Sequence, residues 1–124
     1  MFRILIVDDE RIVLNGVRMM IEEDLNLSFS TDIALASNGP QALELLQHFT
    51  PDLILTDIRM PVMDGIEALK EIRRHTAELP VIMQTAYAFD TDRRTAEEAG
   101  CNGFITKPVM PRELKMYLDK YLIK

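Results

Sequence analysis

The sequence predicts one α/β domain in which parallel strands alternate with helices. Residues 3–7, 53–56 and 81–85 are runs of strand length that are almost continuously apolar, as is typical of strands covered by helices on both faces. The segments between the runs carry apolar residues at helical spacing. The 124 residues hold five such β/α pairs, which indicates a doubly wound sheet with right-handed crossovers.

The first half of the chain gives two strands and two helices. The strand at residues 3–7 precedes a helix whose apolar side consists of Val13, Leu14, Val17, Met20 and Ile21. A weaker strand at residues 32–36 leads into the turn 37–40. Pro40 suits the first position of the next helix, where a backbone N–H has no partner. The apolar side of that helix consists of Ala42, Leu43, Leu46 and Phe49.

The second half gives three more pairs. The strand at residues 53–56 precedes a helix that Asp64 can cap, with Ile66, Leu69 and Ile72 on its buried side. The strand at residues 81–85 precedes a more polar helix at residues 92–99, which ends at Gly100. A weaker strand at residues 103–106 precedes the last helix, which starts after Pro111 and places on one side Leu114, Tyr117, Leu118, Tyr121 and Leu122.

Composition excludes several classes of protein. Apolar residues make up 48% and charged residues 27% of the chain, as in ordinary globular proteins. Twenty acidic against fourteen basic residues give a net charge of −6, which argues against nucleic-acid binding by this domain itself. One cysteine excludes an internal disulfide framework. There is neither a long apolar run nor a leader pattern, so we expect a cytoplasmic domain with no membrane span.

Polar residues follow the predicted strands where each one ends. Asp8, Asp9 and Glu10 follow the first strand and Asp57 follows the third. Thr85 ends the fourth strand and Lys107 follows the fifth. Because the carboxyl ends of parallel strands meet at one edge of a sheet, these groups should converge there.

The chemistry of this cluster follows from its charge. Adjacent carboxylates repel one another, and a hard divalent cation such as Mg²⁺, which prefers oxygen ligands, would offset that repulsion. Lys107 offers a positive charge for an anionic group, and Thr85 offers a hydroxyl donor. A carboxylate in this setting can accept a phosphoryl group. Asp57 is the better nucleophile, because Asp8 and Asp9 are adjacent and suit joint binding of the metal.

Four blocks of the sequence resemble the signature of receiver domains of two-component response regulators, the CheY-like family. They are Val7-Asp8-Asp9-Glu10, the stretch 57–65, Thr85-Ala86 and Lys107-Pro108. The resemblance extends over the chain as one receiver domain, residues 1–124. It implies a flavodoxin-like (βα)5 fold with a five-stranded parallel sheet in the order 2-1-3-4-5.

The resemblance also implies a role for each site residue. Asp57 would be the phosphoacceptor. The Mg²⁺ ligands would be Asp9 directly, Asp8 through water, Asp57, and the backbone carbonyl of Arg59. Thr85 and Lys107 would contact the phosphoryl oxygens, and the peptide bond between Lys107 and Pro108 is expected to be cis.

A phosphorylation switch is implied as well. Thr85 would move toward the phosphoryl group and the aromatic ring of Phe104 would turn inward behind it. This movement would change the face formed by the fourth helix, fifth strand and fifth helix. Two bulky side chains, Arg59 and Tyr87, would border the site. The implied partners are a sensor histidine kinase or phosphotransfer protein, a fused or separate output domain, and a second copy of the chain in a phosphorylation-dependent homodimer.

Two other functions are alternatives to the phosphoacceptor. A Mg²⁺-dependent phosphohydrolase with an aspartate nucleophile usually has an acidic residue two positions further on, where this chain has Arg59. A flavin-binding protein of similar fold would need a phosphate-binding loop after the first strand, where this chain has Asp8 and Asp9. Whether the receiver stands alone, precedes the output domain of a transcription factor or belongs to a hybrid kinase stays open.

Overall fold

Five parallel strands form a single sheet in the computed structural model, which describes residues 1–86 and 90–123. The strands are β1 (Phe2–Val7), β2 (Thr31–Ala36), β3 (Leu53–Asp57), β4 (Val81–Thr85) and β5 (Gly103–Thr106). Their order across the sheet is β2-β1-β3-β4-β5, and every neighbouring pair is parallel. The predicted α/β fold and strand order are therefore confirmed.

Five helices connect or follow the strands. They are α1 (Arg11–Met19), α2 (Gly39–Leu45), α3 (Gly65–His75), α4 (Asp90–Glu98) and α5 (Pro111–Leu122). Helix α1 continues directly into a π-helical segment, Met20–Asp24. In the part of the chain that the structure describes, none of the helices has the length and apolar character needed to cross a membrane.

The helices cover both faces of the sheet, which accounts for the continuous apolar strands. On one face, strand residues such as Leu5, Ile54 and Met83 pack with apolar residues of α2, α3 and α4. On the other face, Ile6 and Leu55 pack with apolar residues of α1 and α5. Because successive strand side chains point to opposite faces, β3 and β4 are buried along their whole length.

The start of α3 is fixed by a capping box. The Asp64 carboxylate accepts a hydrogen bond from the Glu67 backbone N–H at 2.8 Å, and the Glu67 carboxylate accepts one from the Asp64 N–H at 3.3 Å. These bonds satisfy backbone donors that have no partner within the helix. The predicted cap is confirmed, and it sets where α3 begins relative to the end of β3.

Four of the predicted boundaries shift by one to a few residues. Helix α2 begins at Gly39 under the cap of Asn38, so Pro40 occupies its second position. The helix ends at Leu45, and the tighter hydrogen bonds that follow it leave Phe49 in a loop, where the ring still packs on the core. Strand β3 includes Asp57, and α4 begins at residue 90 instead of 92.

Candidate functional site

The carboxyl ends of β1 and β3 bring two aspartates to one ammonium group. Asp8 directly follows β1, Asp57 ends β3, and these strands are neighbours in the sheet. Lys107, which follows β5, places its Nζ 2.9 Å from Asp8 Oδ2 and 3.3 Å from Asp57 Oδ2. Three of the residues singled out from the sequence thus lie in direct contact.

Asp8 is fully buried, and three donors hold its carboxylate. The Glu10 backbone N–H donates to Oδ1 at 2.9 Å. Oδ2 accepts from Lys107 Nζ at 2.9 Å and from the side-chain amide of Gln84 at 3.2 Å. Because a buried carboxylate is stabilised by such charge-assisted bonds, the orientation of Asp8 is well determined.

Asp57 lies in a different electrostatic setting. Its side chain is 6% exposed, and burial together with the charge of Asp8 raises the pKa of Asp57 from 3.8 to about 6. Lys107 opposes this shift and lowers the pKa of Asp57 through its charge and hydrogen bond, while Asp9 raises it further. Because a pKa of about 6 still lies below neutral pH, the Asp57 carboxylate is mostly ionised there, but its charge is only partly compensated.

Lys107 responds to the same charges. Burial by itself lowers the pKa of Lys107, but the hydrogen bond that Lys107 donates to Asp8 and the charge of Asp57 outweigh that effect, so the pKa is raised. The ammonium group consequently stays protonated and remains available to an anionic group beside Asp57.

The loop after β1 carries several carboxylate groups. Carboxylate oxygens of Asp8, Asp9 and Glu10 lie within 4.8 Å of one another, with Asp8 buried and the other two exposed. Asp9 also contributes to the raised pKa of Asp57, so the negative charge of the loop extends to that carboxylate. Hard oxygen donors with excess negative charge fit a cation such as Mg²⁺.

The end of β4 completes this edge of the sheet. Thr85 is fully buried, and its backbone carbonyl accepts a hydrogen bond from the Lys107 N–H at 2.7 Å. This bond sets Lys107 directly beside the end of β4. The peptide bond between Lys107 and Pro108 is cis, as expected.

Phe104 lies on β5, three residues before Lys107, and is paired with Met83 of β4. Its side chain is already turned inward, since the residue is only 7% exposed. The guanidinium carbon of Arg93, on α4, lies 5.0 Å from the centroid of the Phe104 ring, within the range of a cation–π contact.

Arg59 connects the site to α4. Its guanidinium Nη2 lies 2.9 Å from Asp92 Oδ2, so an ion pair joins the loop after β3 to the first turn of α4. Tyr87, the other bulky side chain expected to border the site, lies outside the described residues.

Sequence reasoning missed two residues of this site. The sequence pattern assigns no role to Gly65, yet a Cβ at this position would overlap the backbone carbonyl oxygen of Asp57. Gln84 was interpreted only as a strand residue, yet its amide binds Asp8. The one available signal was a lone amide side chain within the apolar run 81–85.

Comparison with known proteins agrees with this arrangement. The family model of the response regulator receiver domain matches residues 4–119. The chain belongs to this family. It is therefore a receiver domain, the signalling domain that response regulators of two-component systems contain.

Individual relatives show the same receiver domain in different settings. The chemotaxis protein CheY of Bacillus subtilis is 40% identical over 120 residues, which are 97% of both proteins. The regulatory protein AtoC of Escherichia coli is 43% identical over 121 residues, but the chain spans only 25% of its length. The receiver domain of the Pseudomonas aeruginosa sensor histidine kinase PA1611, solved with a magnesium ion coordinated in its active-site cleft, is 30% identical with a TM-score of 0.85. That match covers 99% of this chain and 98% of the solved one.

Proposed function

We propose that residues 1–124 form one receiver domain that accepts a phosphoryl group on Asp57. The observation that carries the proposal is the shared contact of Lys107 with Asp8 and Asp57 at the carboxyl end of the sheet. It places a positive charge next to the buried carboxylate of Asp57, which favours approach of an anionic donor.

In the proposed reaction, an Asp57 carboxylate oxygen attacks phosphorus, and the bond between phosphorus and the donor breaks. The donor is a phosphohistidine of a sensor histidine kinase or phosphotransfer protein, and its imidazole nitrogen leaves with the bonding electron pair. The product is an acyl phosphate on Asp57. Lys107 and Thr85 stabilise the transferring phosphoryl oxygens by charge and by hydroxyl donation.

The acidic loop provides the metal site in this proposal. Asp8, Asp9, Asp57 and the backbone carbonyl of Arg59 would hold Mg²⁺, which neutralises charge on the reacting oxygens. The proximity of the Asp8 and Asp9 carboxylates supports this assignment, as does the raised pKa of Asp57 beside them.

The output of the proposed domain is a conformational switch. Phosphorylation adds charge at Asp57, Thr85 moves toward the phosphoryl group, and the ring of Phe104 packs inward behind Thr85. The inward ring and its contact with Arg93 support this coupling to the face of α4, β5 and α5. The domain acts in the cytoplasm through a fused or separate output domain or a phosphorylation-dependent homodimer, and its own catalysis is limited to auto-phosphorylation and auto-dephosphorylation.

Phosphoryl uptake tests the assignment directly. The protein is incubated with acetyl phosphate and Mg²⁺, and intact-protein mass spectrometry is expected to show one added phosphoryl group. Asp57→Asn should abolish the adduct because the amide is not nucleophilic enough to form it. Asp32→Asn, which changes an acidic residue on β2, is the control and should be phosphorylated as the wild type is.

Equal adduct formation by Asp57→Asn would remove Asp57 as phosphoacceptor. Steady hydrolysis of a phosphate monoester, with no adduct retained on Asp57, would favour the phosphohydrolase instead.

A further inference from the structure

Gln84 is a fully buried amide within an apolar strand. It occupies the fourth position of β4, beside Asp57 of β3 and Ile105 of β5, and its side chain is fully inaccessible to solvent. By strand alternation it lies on the same face of the sheet as Ile82, among the apolar residues packed under α1 and α5.

The amide is only half satisfied. Its Nε2 donates to Asp8 Oδ2 at 3.2 Å, while its Oε1 has no hydrogen-bond partner among the described residues. A buried acceptor without a partner destabilises a fold, and an apolar side chain of similar length would avoid that loss. The contribution of the amide at this position is therefore its single bond to Asp8.

Gln84 and Lys107 hold the same oxygen of Asp8, but they differ in how firmly they are fixed. The Gln84 side chain projects from β4, an interior strand that is hydrogen-bonded to β3 on one side and to β5 on the other. Lys107 has a long, flexible side chain that also contacts Asp57, and under the proposed function it turns to the phosphoryl oxygens. Of the two side chains that hold Oδ2 of Asp8, Gln84 is the one that stays in place in both states.

From this geometry we infer that Gln84 is a positioning residue for the metal site. It fixes the orientation of the Asp8 carboxylate, so that the remaining lone pairs of Asp8 face the cation whether or not Lys107 is engaged elsewhere. The inference rests on the proposed function, since it assigns Asp8 to the cation that the acidic loop would hold. Hydrogen-bond partners of this kind orient metal ligands in general.

The test uses Gln84→Met, which keeps the length of the side chain and removes the donor. Mg²⁺ is titrated into the metal-free protein, and the dissociation constant is taken from amide chemical shifts in NMR spectra. We expect binding to weaken about tenfold, the lower end of the effect of losing such a partner. The urea midpoint of the metal-free variant should stay equal or rise, because the unpaired Oε1 is gone as well.

Two further variants test whether Gln84 acts by positioning Asp8, by packing in the core, or only by being polar. Ile82→Val trims a side chain on the same strand and face without touching Asp8, and it should lower the urea midpoint while leaving Mg²⁺ affinity unchanged. Gln84→Asn keeps an amide, but its shorter side chain draws the donor away from Asp8. It should therefore lose Mg²⁺ affinity as Gln84→Met does.

The inference is overturned if Gln84→Met binds Mg²⁺ as tightly as the wild type does. It is also overturned if Ile82→Val loses Mg²⁺ affinity along with its stability. The proposed function is scored separately, by phosphoryl uptake on Asp57. If the wild type binds Mg²⁺ and takes up the phosphoryl group while Gln84→Met binds Mg²⁺ equally well, only the role of Gln84 fails. If the wild type does neither, both proposals fail.

Discussion

At the scale of single residues, Gly65 sets how closely α3 approaches the candidate phosphoacceptor. Its backbone N–H donates to the Ile58 carbonyl at 2.7 Å, and its Cα faces the Asp57 carbonyl at a distance that leaves no room for a Cβ. The obstructing atoms belong to the backbone of β3, which cannot rotate away as a side chain can. A larger residue must therefore displace either the helix or the strand end that carries Asp57.

We predict that Gly65→Ala destabilises the protein by about 2 kcal/mol or more, as overpacking of a tight contact does. Gly16→Ala is the matched control, because Gly16 lies inside α1 and a Cβ there meets no atom within 4 Å. That variant should stabilise the protein by about 0.5–1 kcal/mol, the gain of alanine over glycine in a helix. Urea unfolding of both variants checks the pair, and equal effects would contradict the steric account.

The sequence reveals some of these residues and not others. Asp8, Asp57 and Lys107 are predictable because each directly follows or ends an apolar strand, and parallel strands end at one edge. The roles of Gln84 and Gly65 depend on contacts with atoms of other segments, namely the Asp8 carboxylate and the Asp57 carbonyl. A local sequence pattern does not predict contacts between different segments, so these roles are visible only in the folded structure.

At the scale of elements, two adjacent residues of α4 contact the loop after β3 and the ring of Phe104. Asp92 pairs with Arg59 in the loop after β3, and Arg93 covers the ring of Phe104 on β5. One turn of α4 therefore touches both the loop beside Asp57 and the aromatic residue of the proposed switch. Apart from these contacts the helix is strongly polar, with Ala96 fully buried on its inner side.

We predict that Arg59→Gln loosens the N-terminal part of α4. The ion pair is partly exposed, so its loss should change global stability by less than about 1 kcal/mol. Hydrogen exchange of α4 amides should nevertheless quicken by about two- to fivefold, because local opening requires less free energy. Arg74→Gln breaks a similar ion pair, with Glu71, within α3 alone and should leave exchange in α4 unchanged. Equal exchange in both variants would show that the Arg59 pair does not restrain α4.

The order of the elements was predictable, but some of their boundaries were not. The change from apolar runs to helical spacing locates all five β/α pairs. A strand of this sheet is buried on both faces, whereas a helix is buried on one side only. Helix α2 ends at Leu45 although the apolar spacing continues to Phe49. The Phe49 ring reaches the core from the loop and contacts the Arg3 guanidinium at 5.6 Å. Burial of an apolar residue therefore does not require that the helix extends to it.

At the scale of the whole molecule, the net charge of −6 is unevenly distributed. Asp8 and Asp57 are buried at one edge of the sheet with Asp9 beside them, and Lys107 compensates only part of their charge. Folding thus brings carboxylates together that the unfolded chain keeps apart in water. Without a cation, this gathering of charge should oppose folding at neutral pH.

We predict that the ionisation of Asp57 makes the stability of the protein depend on pH. Its pKa is about 6 in the folded protein, against an ordinary value of 3.8 for an exposed aspartate, so between these values the folded state holds a proton that the unfolded state releases. The free energy of unfolding should therefore fall as pH rises from about 4 to about 6, by about 2–3 kcal/mol from this group, and stay level above that range.

Asp57→Asn cannot ionise, so in Mg²⁺-free buffer its stability should exceed that of the wild type by a margin that grows across the same window. Urea unfolding at several pH values measures this margin. Added Mg²⁺ should narrow it at pH 7, because a bound cation stabilises the ionised carboxylate, whereas a margin independent of pH would mean that the charge on Asp57 is already compensated within the fold.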